Sequence, residues 1–139
     1  MMDEINHLQA KYPGSETFVF GDNPSLCSHL LGLVREGKKT ATCTSLRDFE
    51  SGGEVMPEIG RRDIALNWDG SPALVIETCH VEIVRFDKVT EDFALSEGEN
   101  ATLEGWRNDH KIYFERNGGF DWEMELVCER FRLIEDLQS

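Results

Sequence analysis

The feature that most restricts how this chain folds lies at its centre, where two strand-like runs, Asp63 to Trp68 and Ala73 to Phe86, meet at Asp69-Gly70. Asp-Gly is a tight-turn signal, because glycine supplies the left-handed backbone angle that a short antiparallel connection needs. The second run carries Val75, Thr78, Val81, Ile83 and Val84, a density of β-branched residues that favours a long strand. A chain organised around such a hairpin is expected to be an antiparallel α+β protein. A helical bundle and a doubly wound parallel sheet are excluded.

The flanking segments complete that expectation. Asp3 to Tyr12 reads as a short helix ended by Pro13-Gly14, and Thr17 to Phe20 as a strand. Pro24 opens a helix to Glu36, with Leu26, Leu30, Leu33 and Val34 on one stripe and Gly37 as its stop. Thr40 to Leu46 is a threonine-rich strand, and Asp48 to Gly60 a loop long enough to cover a site. Asp87 to Asn100 reads as acidic and irregular, Thr102 to Arg116 as a helix, and Glu125 to Ile134 as a closing strand. With 139 residues the whole chain, 1–139, is expected to be one domain with its core over about 18–135 and a helical extension at 1–13.

Charge narrows the function. The formal net charge of −13 disfavours a surface that coats nucleic acid, since phosphate binding is driven by Lys and Arg. The distribution is uneven: residues 1–62 hold seven Lys or Arg against nine Asp or Glu, whereas residues 63–139 hold seven against eighteen. Lys38, Lys39, Arg47, Arg61 and Arg62 cluster around the first strands, so a local basic site is compatible with an acidic back. No DNA partner and no membrane contact are expected. The apolar runs are far shorter than a membrane span, and Met1 to Ala10 carries Asp3 and Glu4 without a leader-like apolar stretch. Cys27, Cys43, Cys79 and Cys128 form no C-x-x-C pair and read as reduced thiols of a cytoplasmic protein, and a zinc site built on Cys79 and His80 has little support.

The segment Gly37-Lys-Lys-Thr-Ala-Thr42 resembles the G-x-K-x-x-T signature of the ASCH domain family. It is joined by Glu77-Thr78, Ala94-Leu-Ser-Glu-Gly-Glu99, Trp106 to Phe114 and Val127-Cys-Glu-Arg-Phe131, in an order similar to the longer bacterial members. The resemblance implies a PUA-like, mainly antiparallel β-barrel of five or six strands flanked by helices. It also implies one of three activities found among members: hydrolysis of N4-acetylcytidine, metal-dependent ribonuclease action, or RNA binding alone. By motif, the catalytic residues of the acetylcytidine hydrolase fall on Lys39, Thr42 and Glu99, with the neighbouring Glu97 a substitute for Glu99. The hydrolase carries an arginine soon after its signature, whereas Thr44-Ser45-Leu46 stands here and the next arginine is Arg47.

The expected chemistry is hydrolysis, without a cofactor, of a modified pyrimidine nucleoside bearing an N4-acetylcytidine-like amide or of a short RNA. A threonine hydroxyl needs a neighbouring base. A lysine accepts that proton only where its surroundings disfavour the ammonium, and a carboxylate beside it favours the ammonium and becomes the candidate base. Lys39 and Thr42 lie three apart, so they share a side only if Lys39 precedes the strand or a bulge intervenes. Lys38, Arg47, Arg61, Arg62 and Trp68 are the expected substrate contacts, with Phe49 a second stacking candidate. The ribonuclease alternative needs a divalent metal on Glu97 and Glu99; the third alternative is a non-catalytic RNA-binding module. Leu103, Trp106, His110, Tyr113 and Phe114 recur at helical spacing and are taken as core.

Overall fold

In the computed structural model, which describes residues 2–138, the chain runs α1 (Met2–Lys11), β1 (Thr17–Phe18), α2 (Pro24–Arg35), β2 (Ala41–Ser45), α3 (Leu46–Glu50), β3 (Arg62–Leu66), β4 (Pro72–Arg85), a 3-10 turn (Phe86–Lys88), α4 (Glu91–Ser96), α5 (Leu103–Arg116) and β5 (Glu125–Asp136). The central turn closes where the sequence places it. Asn67 N–H donates to the Ser71 carbonyl at 2.8 Å, Gly70 adopts φ +91°, and the Asp69 carboxylate accepts from both the N–H and the hydroxyl of Ser71. Trp68 belongs to this turn and is exposed, not part of a strand.

The strands form one sheet in the order β1-β3-β4-β5-β2, antiparallel throughout except for the two-residue parallel pairing of β1 with β3. The architecture is therefore mixed α+β. The sheet is unclosed, where the sequence reading expects a barrel: β1 and β2 are free edges. The reason is local, because β1 ends at Phe18, before the turn that leads into α2, and is too short to bridge to β2. The sheet nevertheless bends. Register shifts in β4 at Val75/Ile76 and Thr78/His80 break its long ladder with β5, and bulges of this kind add curvature. Phe20, just past β1, packs on Phe131 of β5 with ring centroids 6.1 Å apart, and Thr17 and Phe18 of β1 line the same hollow as Thr42 to Ser45 of β2.

Each face is covered by helix. Asn23 caps α2 by accepting from Leu26 N–H at 2.9 Å, Pro24 sits in its first turn, and Leu30, Leu31 and Val34 pack with Phe20, Leu74, Ile76 and Phe131. On the other face Trp106 and Phe114 of α5 and Phe93 of α4 enclose Phe86, Leu126 and Cys128. The N-terminal extension is part of the interior, since Leu8 and Tyr12 pack on Ile64 and Val75. Two segments read from sequence as irregular are helical. Thr90 caps α4 by accepting from Phe93 N–H at 3.2 Å. α3 follows β2 directly and is pinned by Arg47, which donates to the Gly119 carbonyl at 2.6 Å.

Candidate functional site

The site is assembled by two chain turns pressed together. Gly37, at φ +76°, stops α2, and the N–H groups of Lys38 and Lys39 both donate to the Leu33 carbonyl, at 2.9 and 3.1 Å. Gly98, at φ +88°, stops α4, and a Cβ there would lie 2.6 Å from the Lys38 carbonyl oxygen, so only glycine permits this approach. Thr40 N–H donates to the Ser96 carbonyl at 2.8 Å and fixes the contact.

Glu97 is thereby driven against Lys39. The Lys39 ammonium lies 3.3 Å from Glu97 Oε1, with side-chain exposures of 1% and 3%, and also donates to the Ala41 carbonyl at 2.8 Å. It sits 5.6 Å from the centre of the Phe20 ring. The other oxygen, Oε2, accepts from Trp106 Nε1 at 2.9 Å and faces His110 Nε2 at 3.6 Å. His110 stacks on Trp106, centroids 4.2 Å apart, and its Nδ1–H donates to the Trp106 carbonyl at 2.9 Å. Burial is the largest influence on Glu97 and opposes its charge, but Lys39, His110 and Trp106 together outweigh it and hold the carboxyl at about 2. For His110 burial again opposes the charged form, and the Glu97 contact overrides it and raises the imidazole above its ordinary value.

This pair stands at the wall of a cavity of about 960 Å³, the size of a small-molecule site. Thr42, Cys43, Thr44 and Ser45 all line it, as consecutive residues do when a cavity runs along the free edge of a strand. Lys39 precedes β2 and so escapes the alternation that would point it away from Thr42. The Thr42 hydroxyl has no protein hydrogen bond among the described residues. Directly across the ladder from Thr42 stands Glu129, whose Oε2 accepts from the Thr78 hydroxyl at 2.7 Å; burial pushes its carboxyl above the usual range.

Of the two carboxylates the sequence offers beside Lys39, Glu99 and its alternative Glu97, the structure pairs Glu97 with the ammonium. Both line the cavity, but Glu97 closes the inward face of α4 with Phe93 and Ala94, whereas Glu99 is exposed beyond the Gly98 turn. Among the described residues, the basic side chains expected to form a groove are paired within the protein. Arg61 borders the cavity but is committed to Asp63 at 2.8 and 3.0 Å and to Glu58 at 3.2 Å. Arg47 is spent on the carbonyls of Asn117 and Gly119, Arg62 on Glu77, and Lys38 is exposed beside Glu36; none of these three, nor Trp68, lines the cavity. Phe49 does.

Sequence reasoning missed His110 and Glu129. His110 was absorbed into an aromatic stripe whose Trp106 and Phe114 are indeed core, although the i,i+4 spacing of Trp106 and His110 beside an acidic helix was a usable signal. Glu129 alternates with Val127 and Phe131, and a carboxylate on the apolar side of a strand is such a signal too. Cys79, which the sequence offers only weakly as a zinc ligand, is exposed. Among the described residues, metal-type donors come together at Cys43, Glu97 and His110, with donor atoms within 4.8 Å of one another. A cation there competes with Lys39 and Trp106, which already occupy both Glu97 oxygens.

A family model described as "ASCH domain" matches residues 16–135. Among solved structures, an ASCH domain from Lactobacillus crispatus is 30% identical with a TM-score of 0.81, the match covering 93% of this chain and 85% of that one. Protein EF3133 from Enterococcus faecalis is also 30% identical, with a TM-score of 0.84 and coverage of 98% and 91%. No curated protein sequence matches the chain.

Proposed function

The chain belongs to the ASCH domain family, and from that premise we propose that it is a hydrolase of a small amide, an N4-acylated pyrimidine nucleoside. The observation that carries this reading is the almost fully buried Lys39–Glu97 pair opening on the same cavity as the unpartnered Thr42 hydroxyl. A buried ion pair of this kind is a poor stabiliser compared with apolar packing, so its place beside a cavity favours a chemical role.

In the proposed reaction the Lys39 ammonium donates a hydrogen bond to the amide carbonyl and holds the negative charge that develops on its oxygen. Glu97, kept ionised, is a positioning residue. The Thr42 hydroxyl orients the attacking water. The C–N4 bond breaks, a C–O bond to water forms, and the net proton transfer runs from water to the departing nitrogen, yielding the nucleoside and a carboxylic acid. The engagement of Arg47, Arg61 and Arg62 in internal pairs favours a small uncharged substrate over a phosphate track and weakens the RNA-binding alternative. The bent sheet with both edges on one hollow supports its reading as a PUA-like barrel, and a reducing cytoplasm suits the four thiols.

The metal-dependent ribonuclease is retained as a second reading on the Cys43, Glu97 and His110 grouping. Incubation with N4-acetylcytidine and with single-stranded RNA, each with and without chelator, separates the readings. Chelator-insensitive release of cytidine is the expected result. Intact N4-acetylcytidine together with chelator-sensitive RNA cleavage overturns it.

A further inference from the structure

Asp63 and Glu97 reach the inner wall of the cavity with their oxygens already taken. Asp63 receives Arg61 on both oxygens and the Glu16 N–H at 2.9 Å; Glu97 receives Lys39 and Trp106. Glu129 is different. One oxygen is anchored by the Thr78 hydroxyl, itself only 1% exposed, and the other has no protein donor among the described residues. The two cations whose fields reach it, Arg61 and Lys39, are committed elsewhere. A partly buried carboxyl left half-satisfied in this way keeps a cavity-facing lone pair for what enters the cavity. Register puts that side chain opposite Thr42, and facing side chains across an antiparallel pair stand about 5 Å apart.

We propose that Glu129 is the specificity-determining residue of the site: its free oxygen accepts a hydrogen bond from the exocyclic N–H of a pyrimidine ring bound beside Thr42. The inference rests on the reading of the cavity as a nucleoside site. It adds the requirement that the ligand present a donor at that edge, so a ring bearing no exocyclic N–H is rejected because it covers the second oxygen without offering it a donor.

The test compares binding of cytidine with that of N4,N4-dimethylcytidine, which has no exocyclic N–H, by calorimetry on the wild type, Glu129→Leu and Glu129→Gln. Wild type is expected to prefer cytidine by about 10- to 100-fold, the range of a hydrogen bond to a charged group. Glu129→Leu should bind both ligands equally. Glu129→Gln, which keeps the side-chain shape and a partner for Thr78, guards against a folding defect and should show a reduced preference. Wild-type preference retained in either folded variant overturns the proposal. Hydrolysis of N4-acetylcytidine is measured in parallel, so the two ideas fail separately. Binding with the expected discrimination but no hydrolysis sinks the hydrolase and leaves Glu129 as the selector. Hydrolysis with unchanged discrimination does the reverse, and no nucleoside binding at all removes both.

Discussion

Replacing Lys39 by methionine tests the central geometric claim most directly. Read from sequence, Lys39 is a site residue that contributes little to the core, and its loss alters stability by about 0.5 kcal/mol or less. The structure reverses that expectation, because the side chains of Lys39 and Glu97 are 1% and 3% exposed. Methionine keeps the length of the stem and removes the charge, leaving Glu97 buried with Trp106, His110 and the neutral Cys43 thiol. Removing one partner of a buried pair destabilises by about 3 to 5 kcal/mol. Relief through proton uptake by Glu97, once Lys39 no longer opposes the effect of burial, brings the expected loss to the lower end, about 3 kcal/mol. For a chain of this size that is a fall in melting temperature of roughly 10 °C. Urea denaturation at neutral pH measures it. The double variant Lys39→Met/Glu97→Gln should recover most of the loss, giving a coupling above about 2 kcal/mol in the mutant cycle. The deficit should also shrink on acidification, as the stranded carboxyl takes up its proton. A loss below about 1 kcal/mol for Lys39→Met at neutral pH would refute the buried pair.

Three further outcomes follow from other parts of the molecule. Gly98→Ala places a Cβ 2.6 Å from the Lys38 carbonyl at a backbone angle of φ +88°, so it should lose about 2 kcal/mol in thermal or chemical denaturation and displace Glu97, seen as lost hydrolysis; a fully stable, active variant contradicts the described contact. Thr42→Val removes a hydroxyl with no protein partner, so the folded variant should melt within a few degrees of wild type while hydrolysing N4-acetylcytidine at least about 100-fold more slowly; undiminished turnover removes Thr42 from the chemistry. Asp22 is held at about 2, first by Arg116 and then by Asn117, below its ordinary value, so its contribution is present above about pH 4 and is lost as pH falls towards 2. Because the partner Arg116 is half exposed, that contribution should be under about 1 kcal/mol, and Asp22→Asn should flatten the acid limb of the stability curve by no more than this.

Much of the architecture was legible in the chain because it is set locally. The Asp69-Gly70 turn, the Pro24 start and Gly37 stop of α2, and the helix ending at Arg116 each follow from backbone preferences of a few adjacent residues. The signature segment likewise marked Lys39 and Thr42 as neighbours of one cavity. What failed involved segments whose local signal was weak. α4 has six residues and a first turn of Glu91 and Asp92, so its acidity hid the Phe93, Ala94 and Glu97 face. α3 has no side-chain cap and owes its position to Arg47 reaching carbonyls some seventy residues away.

The choice between Glu97 and Glu99 shows where that boundary lies. Two carboxylates flanking a glycine are equivalent as sequence, and only the packing of the Gly98 turn on the Lys38 carbonyl sends one inward to Lys39 and leaves the other in solvent. The same holds for the basic residues, whose number and proximity were evident while their commitment to Asp63, Glu77 and the Asn117 and Gly119 carbonyls was not. Turns and helix ends are decided by short-range sterics that each residue carries with it. Burial and charge pairing are decided by which distant groups share a space, a property that exists only once the sheet has bent and the helices have packed on it.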